Sequence, residues 1–342
     1  MRNLKLIDEF MAERFYEAYE MPNGNILLVD DEGGLIILDN YRAYASGPAA
    51  YKKSLLGYPI PPSHTPKTWM DMKPQHDIDL IVLDLAGTIL EEDKVILPAV
   101  KRSLSDLVKQ GVKIATNSVA SPEWQIFLLK RNGLGLSSGF PHFIIGNMRE
   151  IYFLTDSGYI PYAHHNDEMR RLWAEALPEA RRILNAELQR LRKAGLSVRR
   201  EEFDEERRGI VGLWLENIEN AKVELRFLEK ILSQTEILAC NRDSSLIQIF
   251  HSRAGKGNTL KVLVEHWNIS PSKVLCIGDS AADIPMLDRR HGFLSATVSN
   301  AEEEVKDVVR ASGGYVASKP CGMGVLEILS KLKLSGVREK GG

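Results

Sequence analysis

The chain has 342 residues, 44% of them hydrophobic and 26% charged, with a formal net charge of −2. That length is more than one hydrophobic core usually serves, so about two or three domains are expected. The near-neutral balance gives no electrostatic case for nucleic acid or an anionic membrane surface as partner.

The N-terminus, Met1 to Lys5, runs into Asp8 and Glu9 without the apolar core of a signal peptide. No later stretch nears the roughly 18 uninterrupted apolar residues of a membrane span, so no membrane partner is expected. Residues 1–75 are expected to form an α+β extension of their own. A helix is expected over 4–14, then a meander of strands at Phe15–Met21, Asn25–Asp30 and Leu35–Asp39. Pro22-Asn23-Gly24 and Asp31-Glu32-Gly33-Gly34 supply the turns between those strands. A second helix is expected over 51–58, and the Pro-rich residues 59–74 read as an extended linker. No catalytic constellation falls in this part, and packing or homo-oligomerisation is its expected role.

From Ile78 the pattern changes to alternating strands and helices. Ile78–Leu83 is an apolar run that reads as a buried parallel strand, and it delivers Asp84 to its carboxyl end. Gly87 and Thr88 follow, able to turn tightly and offer backbone N–H groups to an anion. Leu97–Lys109 reads as an amphipathic helix stopped by Gly111, and Val112–Thr116 as a second strand. Pro122 opens a helix to about Lys130.

Residues 139–251 mix elements without a Gly-rich phosphate loop and read as an inserted α+β domain. Within it, Phe143–Ile145 and Ile151–Leu154 suggest a hairpin. Asp167–Lys193 suggests a long helix kinked or broken at Pro178. Gly209–Leu215 reads as a strand, Ala221–Leu232 as a helix, and Asn241-Arg242-Asp243 as the turn of a further hairpin. The first pattern then resumes: a helix over Lys256–His266, a strand over Lys273–Ile277 ending in Gly278-Asp279, and a helix over Ala281–Arg289. A strand over Phe293–Val298, one at Gly314–Val316 and a final helix over Gly324–Leu332 complete it. The scattered Cys240, Cys276 and Cys321 have no metal-ligand spacing and fit a reducing, cytoplasmic setting.

Asp84, Thr116, Lys256, Asp279 and Asp283 therefore fall at strand ends or helix starts of one alternating fold. Each alone reads as a cap, turn or solvated residue. As a set they supply what phosphoryl transfer needs. A carboxylate can attack phosphorus, a hydroxyl and an ammonium can hold the equatorial oxygens, and several carboxylates can hold Mg²⁺. Gly87, Thr88 and Asn117 are the candidate substrate contacts beside them.

These residues resemble the motifs of the haloacid dehalogenase-like hydrolase superfamily, in its Cof-type branch of magnesium phosphatases. The matching segments are Asp84–Thr88, Thr116 after Ile114-Ala115, Lys256 within Gly255-Lys256-Gly257, and Gly278–Leu287. The resemblance implies a doubly wound, Rossmann-like parallel core at 76–138 and 252–342, with residues 139–251 as a cap. It implies Asp84 as nucleophile and metal ligand, and Thr116 and Lys256 as phosphate binders. Asp279 and Asp283 become metal ligands, and the backbone carbonyl of Ala86 a further one. The implied partner is a phosphorylated small molecule and the implied cofactor Mg²⁺.

The chain departs from that pattern at three places. Ala86 stands where such phosphatases carry the Asp that protonates the leaving oxygen and then activates water. Ala282 replaces a usual Asn, and Asn117-Ser118 replaces a usual Gly-Arg. Two outcomes stay open at this point: a slow or specialised phosphohydrolase, or a catalytically inactive binder of a phosphorylated ligand or a protein. A cap residue is one alternative source of the proton, with the adjacent His164 and His165 as candidates. A Rossmann dehydrogenase is disfavoured, because no GxGxxG follows the first strand.

Overall fold

The computed structural model describes residues 78–202 and 204–335, together with strand residues 2–3, 15–20, 26–30 and 35–38. The N-terminal strands β1 (Arg2–Asn3), β2 (Phe15–Glu20), β3 (Ile26–Asp30) and β4 (Leu35–Leu38) form an antiparallel sheet in chain order. The expected meander is present, with β1 added at its edge. The helices expected over 4–14 and 51–58 and the linker at 59–74 lie outside the described residues.

The rest of the chain alternates. β5 (Leu80–Leu83), α1 (Pro98–Lys109), β6 (Lys113–Asn117), α2 (Pro122–Arg131), β7 (Phe143–Gly146), β8 (Glu150–Thr155) and β9 (Gly158–Pro161) come first. An inserted layer follows, with α3 (Ala163–Lys193), β10 (Val198–Arg200), α4 (Glu205–Arg208), β11 (Ile210–Leu215), α5 (Ile218–Leu232), β12 (Leu238–Asp243) and β13 (Leu246–His251). The chain then returns through α6 (Lys256–His266), β14 (Val274–Gly278), a 3₁₀ turn (Ala281–Asp283) and α7 (Ile284–Leu287). It ends with β15 (Leu294–Thr297), α8 (Glu303–Ala311), β16 (Tyr315–Val316) and α9 (Cys321–Ser335).

The main sheet has eight strands in the order β16-β15-β14-β5-β6-β7-β8-β9. It is parallel from β16 to β7, and antiparallel at β8 and β9. β5 lies near its middle, and all four of its side chains, Leu80 to Leu83, are fully buried. Burial of this kind stabilises by about 1.5–3 kcal/mol per side chain, which is why an all-apolar run without alternation settles here. Helices cover both faces, which makes this the expected doubly wound α/β core. α1 illustrates the packing: Pro98 opens it, and Val100, Leu104 and Leu107 at helical spacing are its buried stripe.

The inserted layer is an antiparallel sheet in the order β10-β11-β13-β12, with α3 and α5 packed on it. Its core of Trp173, Leu177, Ile183, Val211, Leu213, Ile247 and Ile249 is separate from the core of the main sheet.

Two expectations change here. The insertion was expected to start at 139, but Phe143 to Pro161 belongs to the main sheet, since β7 pairs in parallel with β6 and β8–β9 extend that edge. All four residues of β7 are buried, as a strand inside a two-faced sheet requires. Pro178 does not break α3, which runs unbroken over 31 residues. An interior proline costs about 3 kcal/mol, whereas Trp173, Leu177, Ala180, Ile183 and Leu184 flank it on the buried stripe. Their burial outweighs that penalty.

Candidate active site

The carboxyl edge of a parallel sheet is where open α/β folds bind ligands, and β5 ends there between β14 and β6. Asp84 is the first residue past β5. Its backbone N–H donates to Ile277 O at 2.9 Å, so the neighbouring strand fixes where its carboxylate begins. The chain then folds back on itself, with the N–H groups of Ile89 and Leu90 donating to Leu85 O at 3.1 and 2.9 Å. Gly87 has φ +75° in this turn, and the Asp279 carboxylate occupies the space a Cβ would need. Thr88 Oγ1 donates to Asp279 Oδ1 at 2.6 Å, and Asn300 Nδ2 donates to Gly87 O at 2.8 Å. Ala86 is exposed at the head of the turn.

Lys256 opens α6 directly after Gly255, whose φ of +99° lets the chain turn into the helix. Its side chain is 2% exposed, and Nζ donates to Asp84 Oδ1 and to Asp283 Oδ1, both at 2.6 Å. The other oxygen of Asp283 accepts from the backbone N–H groups of Asp279 and Ser280 at 3.0 Å each, and from Ser280 Oγ at 3.1 Å. Asp283 therefore both holds the loop after β14 and faces the ammonium. One ligand oxygen from each of Asp84, Asp279 and Asp283 lies within 4.8 Å of the others.

Three carboxylates around one ammonium leave the site short of positive charge. Burial pushes Asp84 well above the usual carboxylate range; Lys256 opposes this, and Asp283 and Asp279 add to it. Asp279 is pushed up to about 7, first by burial and then by the charge of Asp283, with the Thr88 hydroxyl opposing. Burial works against the Lys256 ammonium as well, but the charges of Asp283 and Asp84 hold it above its ordinary value. A set made only of carboxylate oxygens is the donor chemistry of a hard divalent cation rather than of zinc, and such a cation would relieve this imbalance.

Asp84, Gly87, Thr88, Lys256, Asp279 and Asp283 thus converge. Thr116 is placed differently. It is buried in β6, and its hydroxyl donates to Gln125 Oε1 of α2 at 2.8 Å. Successive residues of a strand face opposite sides, so Asn117 is the one turned toward α6, where Nδ2 donates to Lys256 O at 3.0 Å. Asn117 Oδ1 is buried without a hydrogen-bond partner among the described residues. His164 and His165 start α3; His165 is bound to Arg149 O at 2.9 Å and stacks on Tyr162.

Sequence reasoning missed what the inserted layer adds. β12 runs through Asn241 and Arg242 to Asp243, and its end packs on the 3₁₀ turn that carries Asp283. Arg242, fully buried, forms ion pairs with Glu302 and Glu304. Asn-Arg-Asp has turn chemistry, which hid a strand end. The turn itself is Ser244-Ser245, with Ser244 at φ +53° and Asp243 opposite Leu246.

Residues 187–327 match the sequence model of the haloacid dehalogenase-like hydrolase family. A phosphoglycolate phosphatase of Methanothrix thermoacetophila is 37% identical over 82 residues, covering 24% of this chain and 34% of that protein. The chain thus spans about a third of the length of that curated relative. Among solved structures, the sucrose-phosphatase of Synechocystis, determined with sucrose and phosphate, superposes with a TM-score of 0.58 at 19% identity. That likeness covers 76% of this chain and 99% of the other. BT1666 of Bacteroides thetaiotaomicron, described among phosphatases of the same superfamily, has a TM-score of 0.51 at 14% identity over 80% of this chain and all of that one. These structural likenesses are likenesses of fold.

Proposed function

We propose that this chain, whose residues 187–327 match the haloacid dehalogenase-like hydrolase family model and whose fold is like that of the sucrose-phosphatase, is a Mg²⁺-dependent phosphohydrolase of that family acting on phosphorylated small molecules. The observation that carries the reading is the buried Lys256 ammonium, 2.6 Å from both Asp84 and Asp283, at the sheet edge where Asp279 is held by Thr88.

In this reading Asp84 attacks the phosphorus atom and the ester oxygen leaves, giving an aspartyl-phosphate that water then hydrolyses. Lys256 neutralises charge on the transferring group and keeps Asp84 oriented. Asp84, Asp279 and Asp283 would hold Mg²⁺, with the Ala86 carbonyl beside them; bound there, the ion supplies positive charge against an anionic substrate. Asn117 ties the end of β6 to the start of α6 through its bond to Lys256 O. The inserted layer acts as the cap that selects the substrate. The matched phosphoglycolate and sucrose phosphatases support a phosphate monoester as substrate class.

The test is release of inorganic phosphate from acetyl phosphate and alkyl phosphate monoesters with Mg²⁺. Asp84→Asn should abolish it, and activity that survives unchanged rules this mechanism out. Ala86 favours a second reading, an inactive binder of phosphorylated ligands. Tight Mg²⁺-dependent binding without turnover across a panel of such ligands would establish that reading instead.

A further inference from the structure

General acid–base assistance is typically worth 10²–10⁴-fold, and the methyl group of Ala86 cannot give it. The carboxylates of the site are already engaged. Asp84 and Asp283 bind Lys256, Asp283 also accepts the loop N–H groups, and Asp279 accepts from Thr88. Asp243 differs from them, because it makes no side-chain hydrogen bond to any described residue. It nonetheless sits within electrostatic reach of Lys256, Asp283, Asp279 and Glu302.

Its placement is fixed from several sides. Two residues earlier on the same face of β12, Asn241 Nδ2 contacts Met148 Sδ at 3.2 Å. Met148 in turn donates its N–H to Ser118 O at 3.3 Å and accepts the Gly255 N–H at 2.9 Å. β12 therefore passes from the end of β6 across the start of α6 toward Asp283. On the opposite face, Arg242 grips Glu302, with Nη1 at 3.2 Å from Oε1. Glu302 N–H donates to Asp279 O at 3.0 Å, and Glu302 Oε1 accepts the Ala281 N–H at 3.4 Å. The hairpin is thus seated on the very loop that carries Asp279 and Asp283. Burial raises Asp243 above the usual carboxylate range, with Lys256 opposing.

We propose that Asp243, delivered by β12 of the inserted layer, is the proton donor and acceptor that takes the place of an acid at position 86. The assignment rests on the phosphohydrolase reading above. In the first step a bond forms between Asp84 Oδ and phosphorus while the phosphorus–ester oxygen bond breaks, and the leaving oxygen takes the Asp243 proton. In the second step the Asp243 carboxylate takes a proton from water as the water oxygen attacks phosphorus. The bond to Asp84 breaks, inorganic phosphate leaves, and Asp243 is again protonated.

The experiment is Asp243→Asn, read with two classes of substrate and by trapping the phospho-enzyme. With alkyl phosphates, whose leaving oxygen needs a proton, phosphorylation should fall 10²–10⁴-fold. With acetyl phosphate, phosphorylation of Asp84 should change less than tenfold, while hydrolysis slows and the phospho-enzyme accumulates. Adding Ala86→Asp to Asp243→Asn should restore alkyl phosphate turnover, which also shows that the fold is intact. An Asp243→Asn variant that leaves alkyl phosphates unaffected overturns the proposal. So does one that slows both classes equally and is not rescued by Ala86→Asp. Asp84→Asn separates the two readings: turnover unchanged by it removes both, whereas turnover abolished by it, with a leaving-group-independent Asp243→Asn, removes only the role of Asp243.

Discussion

Replacing Lys256 by Met removes the one cation in the described cluster while keeping most of its volume. Lys256 is 2% exposed, and its carboxylate partners are nearly as buried, Asp84 at 5% and Asp283 at 0%. Removing one member of a buried ion pair typically costs about 3–5 kcal/mol, because the other is left uncompensated. Here two bonds of 2.6 Å are lost together. The variant has one cheap relief, which is to take up a proton. Asp84 already lies well above its ordinary range through burial, and losing the ammonium raises it further. Each pH unit by which the solution exceeds that carboxyl's value costs about 1.36 kcal/mol. The penalty should therefore be near 3–5 kcal/mol at pH 8 and clearly smaller at pH 5. Mg²⁺ should recover part of it at pH 8 by supplying charge. The assay is denaturant unfolding of wild type and Lys256→Met in a chelator at both pH values, then with Mg²⁺ added. Equal midpoints for the two proteins at pH 8 without metal would refute the argument, since no buried pair would then have been broken. Phosphate release should fall about 10²–10³-fold, the usual loss for one charge-stabilising donor.

Two further measurements probe the electrostatics. Asp279 is pushed up to about 7, first by burial, and metal binding must displace that proton. Mg²⁺ affinity, read by titration calorimetry, should be about tenfold weaker at pH 6 than at pH 8; equal affinities would contradict it. In the inserted layer, Glu224 is 3% exposed and shares the Arg190 guanidinium with Glu187. Burial, opposed by Arg190 and aided by Glu187, raises Glu224 from 4.5 to about 7. A raised carboxyl means the folded state holds a proton that the unfolded chain has already released, so stability falls as pH rises from about 4.5 through about 7. Glu224→Gln removes that slope and should stabilise the protein at pH 8, by no more than about 3 kcal/mol, while changing little at pH 4. A variant less stable than wild type at pH 8 would show that the Arg190 bridge outweighs the buried charge.

The sequence disclosed the main sheet because its strands are buried on both faces and need apolar runs. Ile78–Leu83 read as a buried parallel strand for that reason, and the observed β5 over Leu80–Leu83 lies within it; Phe143–Ile145 read as a strand too, but of a hairpin in the insertion. α6 was legible at both ends, since Gly255 sets its start and the apolar period continues to His266. As a break, Pro178 misled, because local backbone cost is visible in a sequence and the strip of buried neighbours repaying it is not. The start of the insertion misled likewise, since an apolar hairpin looks the same whether it extends one sheet or begins another. Thr116 shows a finer limit. Register along β6 sends its hydroxyl to Gln125 and the Asn117 amide toward Lys256, and a one-residue difference in facing leaves no mark on composition.

The role proposed for Asp243 implies that a missing acid need not be sought beside the nucleophile. A donor at position 86 would ride on the nucleophile's own turn and stand ready whether or not substrate was enclosed. A donor on β12 is tied by the ion pairs of Arg242 with Glu302 and Glu304 to the helix start beside the loop of Asp279 and Asp283, so its place depends on how the inserted layer sits there. Moving the acid from the turn to the hairpin makes proton transfer conditional on that seating. In the proposed enzyme, water reaching a site from which the layer had lifted would meet a nucleophile without its acid, and the layer proposed to select the substrate would also complete the chemistry. Ala86 is in that case compatible with an active enzyme, because the turn need only present a backbone carbonyl and leave room for a carboxylate arriving from above.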